Sequence, residues 1–324
     1  MHLLAARPGA VSDGSEAIDL GQTPGDIVFL SAADSELAGL AAARATMADA
    51  PDLRLASLLQ LSHHLSVDLY LDEVVRHSRL VIARVIGGSG YWPYGIEQLK
   101  AVCAEAGVAL ALIPGTDQPD PDLTEASSVP PDACHRLWQY MVQGGPGNLR
   151  SLLGYAGSLI GRDAPWEEPR PLVRAGLYWP SAAVAGLADL RRHWQPARPV
   201  AALVFYRAQF QAANLAPIDA IVAALVARGI NALPIYVASL KDPVCAETVA
   251  TLTAEAGAQI VLNTTAFALS QPGAAVSTPF DHLDCPVIQV VLSGSDEAQW
   301  RDNANGLSAR DIAMNVALPE VDGR

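Results

Sequence analysis

"PVAALVFYRAQFQAANLAPIDAIVAALVARGINALPIYVA", residues Pro199 to Ala238, reads as strand, loop, helix and strand. Val200 to Tyr206 is a continuous apolar run, bounded by Pro199 and Arg207. A strand that is apolar on both faces belongs in a parallel sheet covered on both sides. In "APIDAIVAALVARG", Ile218, Ile221, Val222, Leu225 and Val226 recur at helical spacing. Pro217 suits the first turn of that helix and Gly229 its stop.

The same alternation runs through both halves of the chain. In the first half, "GDIVFLSAAD" (Gly25 to Asp34), "RLVIARVIGG" and "VALALIPG" read as strands. "DLRLASLLQL" reads as a strand whose length leaves a helix open. "SELAGLAAARATMA", "VDLYLDEVVRHS" and "GIEQLKAVCAEAG", the last closed by Gly107, read as the intervening helices. An acidic, proline-rich loop follows, "PGTDQPDPDLTEASSVPPD", then two helices in "ACHRLWQYMVQGG" and "NLRSLLGYAGSLIG". "RDAPWEEPRPLV", Arg162 to Val173, has the prolines of a linker. In the second half "INALPIYVA", "AQIVLN" and "CPVIQVVLSG" read as strands and "AETVATLTAEAG" as a helix. The expected fold class is α/β: two consecutive flavodoxin-like wound parallel-sheet units. The first, 1–172, carries a helical C-terminal part. The second, 173–324, is incomplete at its C-terminus.

Composition narrows the function classes. Of 324 residues, 51% are hydrophobic and 17% charged, and the mean hydropathy is +0.22. So little surface charge implies that partner protein or further chain covers part of the exterior. No apolar run approaches the roughly 20 residues that cross a bilayer, and "MHLLAARPGAVSDGSE" lacks a signal peptide's basic and apolar regions. A cytoplasmic protein that does not bind membranes is expected. The net charge is −13 and the only lysines are Lys100 and Lys241. No cation cluster is present to meet nucleic-acid phosphates. Cys103, Cys134, Cys245 and Cys285 are scattered without a CxxC, so buried thiols are expected rather than disulfides or zinc.

In wound α/β folds ligands sit beyond the carboxyl ends of the strands, and three stretches fall there. "RVIGGSGYWPYG" has Gly88 and Gly90, but the third position of a dinucleotide fingerprint is Pro93, and no GK[ST] triplet exists in the chain. Tyr91, Trp92 and Tyr94 either form a stacking or docking surface with Arg84 nearby, or pack over the sheet edge; packing is the preferred reading. "FYRAQFQAANLAPIDA" puts Tyr206, Arg207, Gln209, Gln211 and Asn214 before a helix N-terminus, where anions are favoured. Arg207 there meets either a ligand carboxylate or a local aspartate. "VLNTTAFA" offers Asn263, Thr264 and Thr265, with local turn formation preferred. His63 and His64 are adjacent and point apart on a regular element, and nothing near in sequence completes a metal site around His282 and Cys285. Residue chemistry alone defines no reaction and no metal site.

Four blocks carry a resemblance: "RVIGGSGYWPYGIEQLK", "ALVFYRAQFQAANLAPIDAIVAALVARGINALPIYVASLKD", "IVLNTTAFA" and "GLSARDIAMNVALPEVDGR". Together, and in this order, they resemble the N-terminal region of the CobN family. This is the large subunit of the aerobic, ATP-dependent cobaltochelatase, related to the magnesium chelatase large subunit. The resemblance implies a ligase that forms metal–nitrogen bonds, inserting Co(II) into hydrogenobyrinic acid a,c-diamide in cobalamin (vitamin B12) biosynthesis. It implies ATP hydrolysis on CobS-like and CobT-like AAA+ partner subunits, and family members several times longer than this chain. The fragment itself is then expected to bind no cofactor and to be inactive alone, with the rest of the large subunit as its partner and the catalytic groups beyond Arg324. Arg84, Tyr91, Trp92, Tyr206, Arg207, Asn214, Asn263 and Thr264 remain ligand-binding or domain-docking candidates. The alternatives are a stand-alone α/β module for an anionic ligand or tetrapyrrole, and a magnesium chelatase head.

Overall fold

The computed structural model describes residues 16–266, 278–295, 297–302, 304 and 306–321. It divides into two units, Met1–Leu172 with Gln211–Asn214, and Val173–Phe210 with Leu215–Arg324.

The first unit alternates β1 (Ile27–Ser31), α1 (Asp34–Ala45), β2 (Leu53–Ser57), α2 (His64–Glu73), β3 (Leu80–Val85), α3 (Pro93–Ala106) and β4 (Ala109–Pro114). It closes with α4 (Pro121–Glu125), α5 (Pro131–Gln143) and α6 (Gly145–Leu159). The strands are parallel in the order β2-β1-β3-β4. Register aligns Phe29, Ile82 and Ala111 across the sheet, and Val28, Val81 and Leu110 beside them. Successive strand residues point to opposite faces, so the first set packs under α1, α5 and α6 and the second under α2 and α3.

The doubtful stretch "DLRLASLLQL" is a strand only to Ser57; Leu58 and Leu61 fill the core from a turn instead. Helix α2 starts at His64, ahead of the periodic segment, because His63 caps it: its Nδ1 accepts from Leu65 N at 3.1 Å. The proline-rich loop is partly helical, since Asp120 caps α4 through Leu123 N. Its end shields the outer edge of β4: Ser127 and Ser128 Oγ accept from Leu112 N and Leu110 N, each at 2.8 Å. Residues 162–173 form no regular element, yet they are strapped to α5 and α6. The Asn148 amide bonds both N and O of Arg170 at 2.9 Å, Tyr140 OH donates to Glu167 O, and Gln143 Oε1 accepts from Leu172 N.

The second unit contains β5 (Ala175–Leu177), α7 (Leu187–Arg191), β6 (Val200–Tyr206), α8 (Arg207–Gln211), α9 (Ala216–Ala227), β7 (Asn231–Val237), α10 (Pro243–Ala256), β8 (Ala258–Asn263) and β9 (Val287–Gln289). Short helices α11 (Glu297–Asp302), α12 (Ala309–Ile312) and α13 (Leu318–Val321) follow. The sheet order is β5-β7-β6-β8-β9, parallel except for β5, which runs antiparallel along β7. That antiparallel edge departs from the wholly parallel expectation; three residues, Ala-Gly-Leu, carry no readable alternation. Without it, the order repeats that of the first sheet. Because β7 and β8 flank β6 on opposite sides, right-handed crossovers put α9 and α10 on opposite faces. Helix α9 buries Ile218 and Val222 as expected, but Ile221 and Leu225 are half-buried and Val226 is 40% exposed. Among the described residues no helix is long and apolar enough to cross a membrane, and all four cysteines are free.

Candidate functional site

A wound sheet opens a crevice where strand order reverses, between the carboxyl ends of β1 and β3 in the first unit and of β6 and β8 in the second. The candidate residues group at these two places.

In the first unit the crevice holds a buried ion pair. Arg84, near the end of β3, donates from Nη1 to Glu36 Oε1 at 2.5 Å, from Nε to Pro114 O at 3.2 Å and from Nη2 to Gly115 O at 3.1 Å. Ser31 Oγ donates to Glu36 Oε2 at 2.6 Å and accepts from Ala33 N. Arg84 is 5% exposed and Glu36 9%. Burial lowers the Arg84 pKa, and the Glu36 carboxylate opposes that shift. The geometry thus commits Arg84 to holding α1 and the end of β4 against β3. Glu36 carried no signal of its own; the legible clue was a charged Arg84 inside an otherwise apolar strand.

The aromatic turn follows directly. Gly87 and Gly88 take φ of 80° and 72°, a conformation glycine adopts without strain. Trp92 is 7% exposed, lies over Gly95 and donates from Nε1 to Leu61 O at 2.9 Å. Tyr94 stacks on His64 at 3.8 Å between ring centroids and donates to Asp68 Oδ1 at 2.7 Å, a bond that raises the Tyr94 pKa. Two of the three rings therefore pack against the protein, and Tyr91, 47% exposed, faces solvent.

In the second unit the strand ends are stitched by side chains. Thr264 donates through N and Oγ1 to Val204 O at 2.9 and 3.0 Å. Asn263 Oδ1 accepts from Thr265 N and Oγ1, while Asn263 Nδ2 donates to Gln289 Oε1 at 3.2 Å. Gln289 Nε2 donates to Thr265 O at 2.9 Å, and Tyr206 OH accepts from Ala266 N at 2.9 Å. Tyr206, Asn263 and Thr264 are thus brought together, with Gln289 as a member the sequence did not single out. Arg207 donates from Nε to Val173 O at 3.0 Å; burial lowers its pKa, with Arg174 adding to the shift and Tyr236 opposing it. The Oε1 of neighbouring Gln209 is buried without a hydrogen-bond partner. Asn214 is exposed and groups with the first unit.

A second unforeseen residue is Asp311, 5% exposed after β9. It accepts from Gly294 N at 2.9 Å, Ser308 Oγ at 2.9 Å and Ser293 Oγ at 3.0 Å. Burial alone raises a carboxyl pKa, but these donors outweigh it and hold Asp311 below the usual aspartate range.

Two tandem doubly wound α/β units with self-bonded strand ends define the class of protein. Residues 138–324 match the family model described as CobN/Magnesium Chelatase, and the chain belongs to that family. It is 46% identical over its whole length to the aerobic cobaltochelatase subunit CobN of Pseudomonas aeruginosa, and 44% identical to that of a Sinorhizobium species. It covers 26% of each, so it spans about a quarter of the length of these relatives. The solved catalytic subunit of cobaltochelatase from Mycobacterium tuberculosis superposes on 93% of the chain with a TM-score of 0.71 and 27% identity, over 24% of that subunit.

Proposed function

We propose that this chain is part of the large subunit of an aerobic cobaltochelatase. In this reading the subunit works in the cytoplasm and inserts Co(II) into hydrogenobyrinic acid a,c-diamide, while CobS-like and CobT-like partners hydrolyse ATP. The observation that carries the reading is the identity of 44% and 46%, sustained over the whole chain, to two subunits named for cobalt chelation.

Within that subunit these units act as a scaffold and docking head and are inactive alone. Chelation needs groups that meet the macrocycle's carboxylates, cover its ring faces and accept its pyrrolic protons. Arg84, Trp92, Tyr206, Asn263 and Thr264 have such chemistry, but they spend it on protein partners. Tyr91, exposed at the carboxyl end of the first sheet, is the group proposed for docking.

The test is a titration of hydrogenobyrinic acid a,c-diamide, followed by its visible absorption, against this chain and against the chain joined to the remainder of the Pseudomonas aeruginosa subunit. The expected result is no spectral change with the chain alone and saturable binding with the longer protein. Micromolar binding by the chain alone, weakened by Arg207→Ala, overturns the scaffold reading. With partner subunits and ATP, the longer protein is expected to insert cobalt; failure beside an active Pseudomonas aeruginosa control overturns the cobaltochelatase reading.

A further inference from the structure

The two sheets share one winding order, so β1, β2, β3 and β4 have counterparts in β6, β7, β8 and β9, and α1 has its counterpart in α9. In the first unit α1 does not cover its face alone. Helices α5 and α6 pack beside it, and Ile82, Ala111 and Ile113 beneath are fully buried. In the second unit register places Leu262 beside Leu203 and Ile288 beside Leu262. These three point away from Val261, which is buried with Cys245 and Val249 of α10. On the α9 side, burial falls off across the strands. Leu203 is fully buried, Leu262 is half-buried and Ile288 is 46% exposed.

We propose that this face over β8 and β9, left partly exposed among the described residues, is the docking site of an amphipathic helical pair supplied by the remainder of the polypeptide in the longer proteins of this family. Parallel sheets are stable with both faces covered, and apolar side chains left exposed on one face of such a sheet point to an interface. Two observations choose the occupant. The first unit covers the equivalent face with a helical pair that follows its fourth strand, and α5 shows the pattern required: Ala133, Leu137, Tyr140 and Met141 buried along one stripe. The relatives also contain about three-quarters of their length outside the region matched here. The proposal does not depend on macrocycle binding.

The test is site-directed labelling in a Cys285→Ser background. Ile288→Cys is compared in this chain and in the chain extended by the remainder of the Pseudomonas aeruginosa subunit. Val244→Cys, at the start of α10 where Val244 is 58% exposed, is the control. Ile288→Cys is expected to react rapidly in the short chain and about tenfold or more slowly in the extended one, with Val244→Cys unchanged, because burial removes access. A photo-crosslinker at position 288 is expected to capture a helical peptide from the added sequence. Equal reactivity in the two proteins, or a crosslink joining two copies of the chain, overturns the proposal.

Discussion

A Cβ atom on Gly95 would stand 1.9 Å from Cε2 of Trp92. The indole cannot slide aside, since its Nε1 is bonded to Leu61 O. Gly95→Ala gains at most about 1 kcal/mol of helix propensity and forces an overpacking cost of about 1–3 kcal/mol. The clash wins. A lowered denaturant midpoint and a changed near-ultraviolet dichroism of tryptophan are expected.

The Glu36–Arg84 pair gives a second expectation. Glu36→Gln leaves a guanidinium buried without its counter-charge and is expected to cost about 3–5 kcal/mol. Replacing both residues together, Glu36→Leu with Arg84→Met, is expected to recover much of that loss, because no uncompensated charge remains. Urea denaturation of the two variants checks the order.

The strap at 162–173 hangs on Asn148, which holds Arg170 through both backbone atoms. Asn148→Ala removes those bonds and one to Gly144 O, at a cost of about 1–3 kcal/mol. Limited trypsin digestion is expected to cut first after Arg162 in the variant, and more slowly there in the parent; the bond after Arg170 precedes Pro171 and resists trypsin.

Asp311 sets a pH dependence. Its folded-state pKa lies below the usual aspartate value, so the unfolded chain binds its proton more readily. Its contribution is therefore full above the usual aspartate pKa and is lost as pH falls through that value towards the depressed one. Asp311→Asn is expected to speed amide exchange at Gly294 at neutral pH. The gap between variant and parent is expected to close as the medium is acidified.

Much of the fold was legible because its signals are local. Apolar runs marked the interior strands, while Pro93, Pro121, Pro131, Pro217 and Pro243 stand in the first turns of helices. What escaped was long-range. Antiparallel β5 is made by pairing with residues 235–237, and nothing within Ala175–Leu177 announces it. The charge at Arg84 was visible, but its partner lies 48 residues away. The strand-end network likewise joins Asn263 to Gln289 across 26 residues, a link that no motif spacing encodes. The helical spacing of α9 was read correctly, but its burial depends on neighbouring helices, which periodicity does not count.

Strand β5 precedes β6 and β7 in the chain, and so has a bearing on synthesis. By the time β7 leaves the ribosome, the strand that guards its outer side has already been made. Among the described residues no strand pairs with the outer side of β9, where Val287, Ile288 and Gln289 are all exposed. A nascent chain therefore carries its sticky margin on the last of the five strands of this sheet to be made. Premature association between neighbouring nascent chains should begin at β9 and not at β7.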